Sequence, residues 1–261
     1  MSFSSENTAT HHLHTLLSRV KASGKSNYVE GWATVLGAEW GSVEFVKRHG
    51  EVVNLMVATI EQLDSLPERP RERSLRYVNS WWHSIVQPHL NWTDSGRPAE
   101  GIIQQDMLDH LESAADIIAG SLVGSTAAPR GVDLQGIVEQ CREWLDLLQG
   151  MEESEISGPV RDGLISQLEH LIWLVQNADL FGGARVSAEA SRIIGSLAQA
   201  SATMENATPE TVSRWKKRWV AFIAVCVAFN GGASVVQESI TSGTAIVKEI
   251  TGVVSDIQGN N

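Results

Sequence analysis

"RWKKRWVAFIAVCVAFNGGASVV", residues 214–236, sets four basic residues and two tryptophans in front of eighteen uncharged positions, 219–236. The start of its helix is legible: Thr208 as N-cap, Pro209 in the first turn and Glu210 beside it. From Trp215 an apolar seam runs in alternating steps of four and three residues. It passes Trp219, Phe222, Cys226, Phe229, Ala233, Val236, Ile240, Gly243, Val247, Ile250, Val254 and Ile257. A sustained 3.5-residue period is what helix-on-helix supercoiling requires. If continuous, residues 209–257 would form a helix roughly 70 Å long at 1.5 Å per residue. Three readings follow. The stretch is a membrane span, with Trp and basic residues as interfacial anchors. It is a hairpin broken at Gly231-Gly232, with both arms packed on the protein. Or it is an exposed coiled coil that assembles copies of the chain. Asn230, the two glycines and Ser234 lower its hydrophobicity below that of an ordinary span.

Around this stretch lie 261 residues, 43% of them hydrophobic, enough for one large domain or two small ones. The two cysteines, Cys141 and Cys226, sit inside apolar helical patterns. Such placement predicts buried free thiols and a reducing cytosol. "MSFSSENTATHHLHTLL" has no basic region followed by an apolar one, so no signal peptide is read. The net charge is −11, and it is concentrated: residues 100–179 carry fifteen acidic residues against Arg130, Arg142 and Arg161. An acidic middle argues against nucleic acid as a partner, because phosphate affinity rests on Lys and Arg.

Strand signals are scarce and helical periodicity is general, so the expected fold is all-α. It is a multi-helix bundle followed by a long C-terminal apolar and amphipathic helix or helical hairpin. Helices are expected in "HHLHTLLSRV", in "NYVEGWATVLG" closed by Gly37, and over 42–66. The last has Val46, Val53, Met56, Val57, Ile60 and Leu63 on one face. A single helix over 71–87 follows Pro70 and stops before Pro88. Residues 88–100, with Pro88, Gly96 and Pro98, read as a linker dividing the bundle. Beyond it come helices over 101–122, over 133–150 with Asp133 as N-cap, over 157–183 ending at Gly182-Gly183, and from an N-cap at Ser187. The bundle is expected over 1–205 and the patterned tail over 208–261. No repeat period marks a solenoid.

Chemical motifs are sparse. "SGKS", residues 23–26, has Arg19 where a phosphate loop needs a glycine, so it reads as a connection between helices. His11, His12 and His14 crowd one end, while His110 and His170 stand on separate helices; none has metal-ligand spacing. No metal or cofactor is expected. Trp81 and Trp82 read as core or interface. Arg76 and His83 fall on one face of the predicted 71–87 helix. Their spacing resembles the loose motif of HEPN-type ribonucleases, helical enzymes that use Arg and His on RNA phosphates. Tyr77 stands where that family usually has a polar residue.

The functional expectation is a non-enzymatic protein, cytoplasmic in bulk, acting at a membrane through its C-terminal segment. In architecture it resembles bacterial pore-forming effectors of phage-defence and toxin systems. Arg214, Trp215, Lys216, Lys217, Arg218 and Trp219 are its candidate membrane anchor. Val236, Ile240, Val247, Ile250, Val254 and Ile257 are the candidate seam of a homo-oligomer. The alternative is a cytosolic helical interaction or oligomerisation protein whose tail binds a partner helix; if the basic collar is not an anchor, it caps a soluble helix and pairs with the acidic middle. A HEPN-like ribonuclease is third.

Overall fold

The computed structural model describes residues 8–87, 91–121, 134–204 and 207–230. These residues form eleven helices and contain no strand, as expected. The chain divides into two compact units: Met1–Thr126 with Asp179–Gly182, and Ala127–Ala178 with Gly183–Asn261.

Unit 1 holds α1 (Ala9–Lys21), α2 (Tyr28–Leu36), α3 (Val43–Asp64), α4 (Glu68–Leu75), α5 (Val78–Val86), α6 (Ala99–Ile102) and α7 (Gln105–Ser121). Polar side chains start its first helices. Thr8 accepts from the His11 N–H, Asn27 from Glu30 and Ser42 from Phe45. Each satisfies an orphan first-turn donor. Gly37 ends α2 at φ 61°, a left-handed cap that glycine adopts without Cβ strain. α1 is the central rod. Leu13, Leu16, Leu17 and Val20 are fully buried where it packs on α3 and α7.

Several predicted elements are corrected here. The single helix over 71–87 is two, α4 and α5. The Tyr77 N–H bonds the Ser74 carbonyl in a tight turn (3.0 Å), and this re-aims the chain. The turn lets Tyr77 stack on His110 at 3.7 Å and buries Trp81 completely, its Nε1–H donating to the Met107 carbonyl. On α3 the buried face is Phe45, Val52, Leu55, Met56 and Leu63; Val46 and Val57, expected inside, are 67% and 49% exposed. The 3.6-residue pattern fitted two stripes, and packing on α1 selected the other one. Residues 91–98 lie within unit 1: Trp92 Nε1–H donates to the carbonyls of Val86 and Gln87, and its own carbonyl accepts from the Val29 N–H.

Unit 2 holds α8 (Leu134–Gln149), α9 (Gly158–Gln176), α10 (Ala178–Ser201) from Gly183 onward, and α11 (Pro209–Asn230). Two expectations fail in this region. The expected stop at Gly182-Gly183 is a kink inside α10, with Gly182 at φ 79° and ψ 154°. Ser187, expected as an N-cap, is therefore mid-helix, its carbonyl accepting from the Ser191 hydroxyl. α9 ends earlier, at Asn177, whose N–H bonds the Trp173 and Leu174 carbonyls. Asp133 lies outside the described residues. The unit's core joins Ile137, Cys141, Trp144 and Leu148 of α8 to Leu164, Leu168 and Leu171 of α9. Val186, Ile193 and Leu197 of α10 complete it.

Candidate functional site

α11 contains the described part of the stretch that opened the problem. Its start is as expected: Thr208 Oγ1 accepts from the Thr211 N–H at 3.1 Å. Its seam is occupied within unit 2. Trp215, Trp219, Phe222, Cys226 and Phe229 are all at most 8% exposed, and the helix lies along α8. Trp215 meets Trp144 edge to face, ring centroids 4.7 Å apart. The Trp219 indole N–H donates to the Ile194 carbonyl of α10 at 3.4 Å. Cys141 and Cys226 are free thiols, both buried, and burial pushes each up to about 12. They are therefore protonated and unreactive at neutral pH while the helix stays docked.

The basic collar meets the acidic middle. Arg218 donates to the Glu143 carboxylate, both side chains partly exposed. Glu155 accepts from the Thr211 hydroxyl at 2.7 Å. That bond, with backbone donors and the nearby Arg214, holds the Glu155 carboxyl below the usual carboxylate range. Arg214, Lys216 and Lys217 are exposed. Val220, Ile223, Ala224, Val227 and Ala228 of the same helix are half-buried or exposed. Among the described residues no helix is long and apolar enough to cross a membrane. The candidate seam residues Val236, Ile240, Val247, Ile250, Val254 and Ile257 lie outside the described residues.

Arg76 and His83 do not share a helix. Arg76 is the exposed C-cap of α4, and His83 lies on α5 beyond the turn. Residues 23–26 connect α1 to α2, with Gly24 at φ 67°. The three early histidines sit on α1. His12 is buried, with Nδ1 3.2 Å from the Asp179 carbonyl oxygen and its ring against Gly182. Burial lowers its pKa, opposed by that hydrogen bond. No three His, Cys, Asp or Glu among the described residues could jointly hold a metal ion.

Three features went unread in the sequence. Tyr28, Trp32, Trp40, Phe45, His49 and Trp92 form one aromatic cluster in unit 1. Adjacent centroids are 4.9–6.2 Å apart, too close to leave a cage for a cation. His49 lies in it with Nε2 3.1 Å from the Ile85 carbonyl oxygen; burial lowers its pKa. In unit 2, Glu189 is 1% exposed between Arg185 and Arg192. Burial, the largest influence, pushes its carboxyl up; the two guanidiniums more than offset that and leave it lowered. The Arg-x3-Glu-x2-Arg spacing, 185–189–192, was the available signal. The third feature is a second apolar stripe on α3. No protein-family model, curated protein or solved structure matches the chain.

Proposed function

We propose that the chain is a helical interaction protein: unit 2 holds α11 as a structural helix, and the segment after it engages a partner. The observation that carries this reading is the burial of Trp215, Trp219, Phe222, Cys226 and Phe229 within the unit. Membrane anchors expose their tryptophans at the interface; here the same side chains face α8 and α10. For α11 to enter a bilayer, these five contacts would have to break. The apolar side chains left behind facing water, Trp144 among them, would each cost about 1.5–3 kcal/mol. The collar's docked role is also local, since Arg218 meets Glu143 and Arg214 lies near Glu155.

The test uses the full chain with vesicles of mixed neutral and anionic lipid. Cys141 lies beneath α11 and reports its departure. The expected result is that the protein stays in solution and that its thiols label no faster with vesicles than without. Co-flotation with vesicles, together with fast labelling of Cys141, would overturn the reading in favour of a membrane-acting protein that releases α11.

A further inference from the structure

Four residues from the second half of the chain, Asp179–Gly182, belong to unit 1, and no other residue after Thr126 does. They seat on α1. Leu180 and Phe181 are buried, Arg19 pairs with the Asp179 carboxylate at 2.7 Å, and the Asp179 carbonyl oxygen lies 3.2 Å from His12 Nδ1. Gly182 covers the other ring nitrogen. It holds φ 79° and ψ 154°, a region open in practice only to glycine, and a Cβ there would stand 2.6 Å from His12 Nε2.

The hydrogen bond fixes where the proton sits. A carbonyl oxygen only accepts, so the neutral ring carries its hydrogen on Nδ1 and a bare lone pair on Nε2. Nε2 is buried and has no hydrogen-bond partner among the described residues. A second proton would enter there and set a charged donor against the Gly182 backbone without an acceptor. Two charged groups act on the ring. His11, beside it on α1, opposes a second charge; Asp179 favours one but is already engaged by Arg19. From α7, Asp109 and Glu112 act on His14 instead, and α3 presents the neutral Gln62 at Thr10.

We infer that Asp179–Gly182 is a clip that unit 1 releases when His12 takes up a second proton. Lifting the four residues lets water reach Nε2, so the charged ring is solvated instead of buried. Burial lowers the pKa of His12 in the closed form. The open form therefore binds more protons, and the clip loosens as pH falls below the ordinary histidine value of about 6.5. From there down to the closed-form value, each pH unit raises the opening constant about tenfold; below it the gain stops. The device goes beyond the reading of α11 and does not rest on it.

Thiol labelling of the full chain, read by mass spectrometry, separates the clip from its unit. Leu180→Cys reports the clip, and Leu17→Cys, fully buried on α1, reports unit 1 as a whole. Each rate is divided by that of the unfolded chain at the same pH. Leu180→Cys should label faster than Leu17→Cys at every pH, and its protection should fall about tenfold per unit below about pH 6.5. His12→Gln keeps an N–H for the Asp179 carbonyl and cannot take the proton, so it should flatten that slope. Arg19→Gln removes the ion pair alone; it should lower protection by one constant factor and leave the slope. Should His12→Gln fail to fold, nitrogen NMR of the imidazole in the unmodified chain decides. Nε2 should be bare at pH 7 and gain its proton over the range in which Leu180→Cys becomes exposed. Labelling of Leu180→Cys in step with Leu17→Cys, a slope that survives in His12→Gln, or an Nε2 already protonated at pH 7 would each overturn the inference.

Discussion

Replacing Trp215 by alanine separates a core helix from a surface anchor. The side chain is 4% exposed and its ring lies edge to face on Trp144. Truncating a buried Trp to Ala costs about 3–5 kcal/mol, from lost transfer free energy and from the cavity left behind. Set against the 5–15 kcal/mol typical of a domain, that removes about a fifth or more of unit 2's stability. The edge-to-face pair itself accounts for about 0.5–1.5 kcal/mol, measured as the coupling in a double-mutant cycle with Trp144→Ala. Lys217→Ala is the control; the residue is exposed two positions from both Trp215 and Trp219, on the other side of the helix, and should change stability by less than about 0.5 kcal/mol. The assay is urea denaturation by far-UV circular dichroism, paired with labelling of Cys141 and Cys226, which reports unit 2 alone. A loss below about 1 kcal/mol in Trp215→Ala would refute the docking argument, because it would mean the ring is not confined between α8 and α11 in solution.

Unit 1 should weaken as pH falls while unit 2 holds. His12, His14 and His49 all have pKa values lowered chiefly by burial. The unfolded chain then binds more protons, so their contribution is complete above the unfolded value of about 6.5 and is lost as pH drops through the lowered folded values. Hydrogen exchange at pH 7 and pH 5, corrected for intrinsic rate, should show protection lost in α1 and α3 and kept in α8 and α9; equal loss in both units would contradict it. Gly182→Ala should destabilise unit 1. The added Cβ would sit 2.6 Å from His12 Nε2, at a backbone φ of 79° that alanine resists. His12→Ala in the same chain should recover part of the loss, and additive thermal shifts would count against the contact. A chain ending at Asn230 should keep unit 2's thiols protected, whereas one ending at residue 208 should label at once, because α11 covers Cys141 and Trp144.

The all-helical class was legible because apolar residues recur at helical spacing almost everywhere, and the caps at Thr208 and Gly37 were readable from residue type alone. What failed were places where two local solutions compete. Arg76–Tyr77 carries no proline or glycine, so nothing local announced the turn that separates Arg76 from His83. Tertiary contacts made it, through Tyr77 on His110 and the buried Trp81. At Gly182 the sequence offered a stop, and the glycine instead supplies a left-handed kink beneath His12. On α3 both apolar stripes had the right period; periodicity reports that a face is apolar and cannot say which neighbour covers it.

The same ambiguity explains the opening stretch. A seam of aromatic and aliphatic residues looks alike whether it meets lipid, another copy or its own domain. Position along the seam breaks the tie. From Trp215 to Phe229 its residues lie in unit 2, along a partner, α8, of 16 residues. Such a helix is about 24 Å long at 1.5 Å per residue. The full seam, Trp215 to Ile257, would run roughly 63 Å if helical throughout. α8 cannot flank all of it. The charges of Glu238, Lys248, Glu249 and Asp256 set positions 238–256 apart from the uncharged run at 219–236.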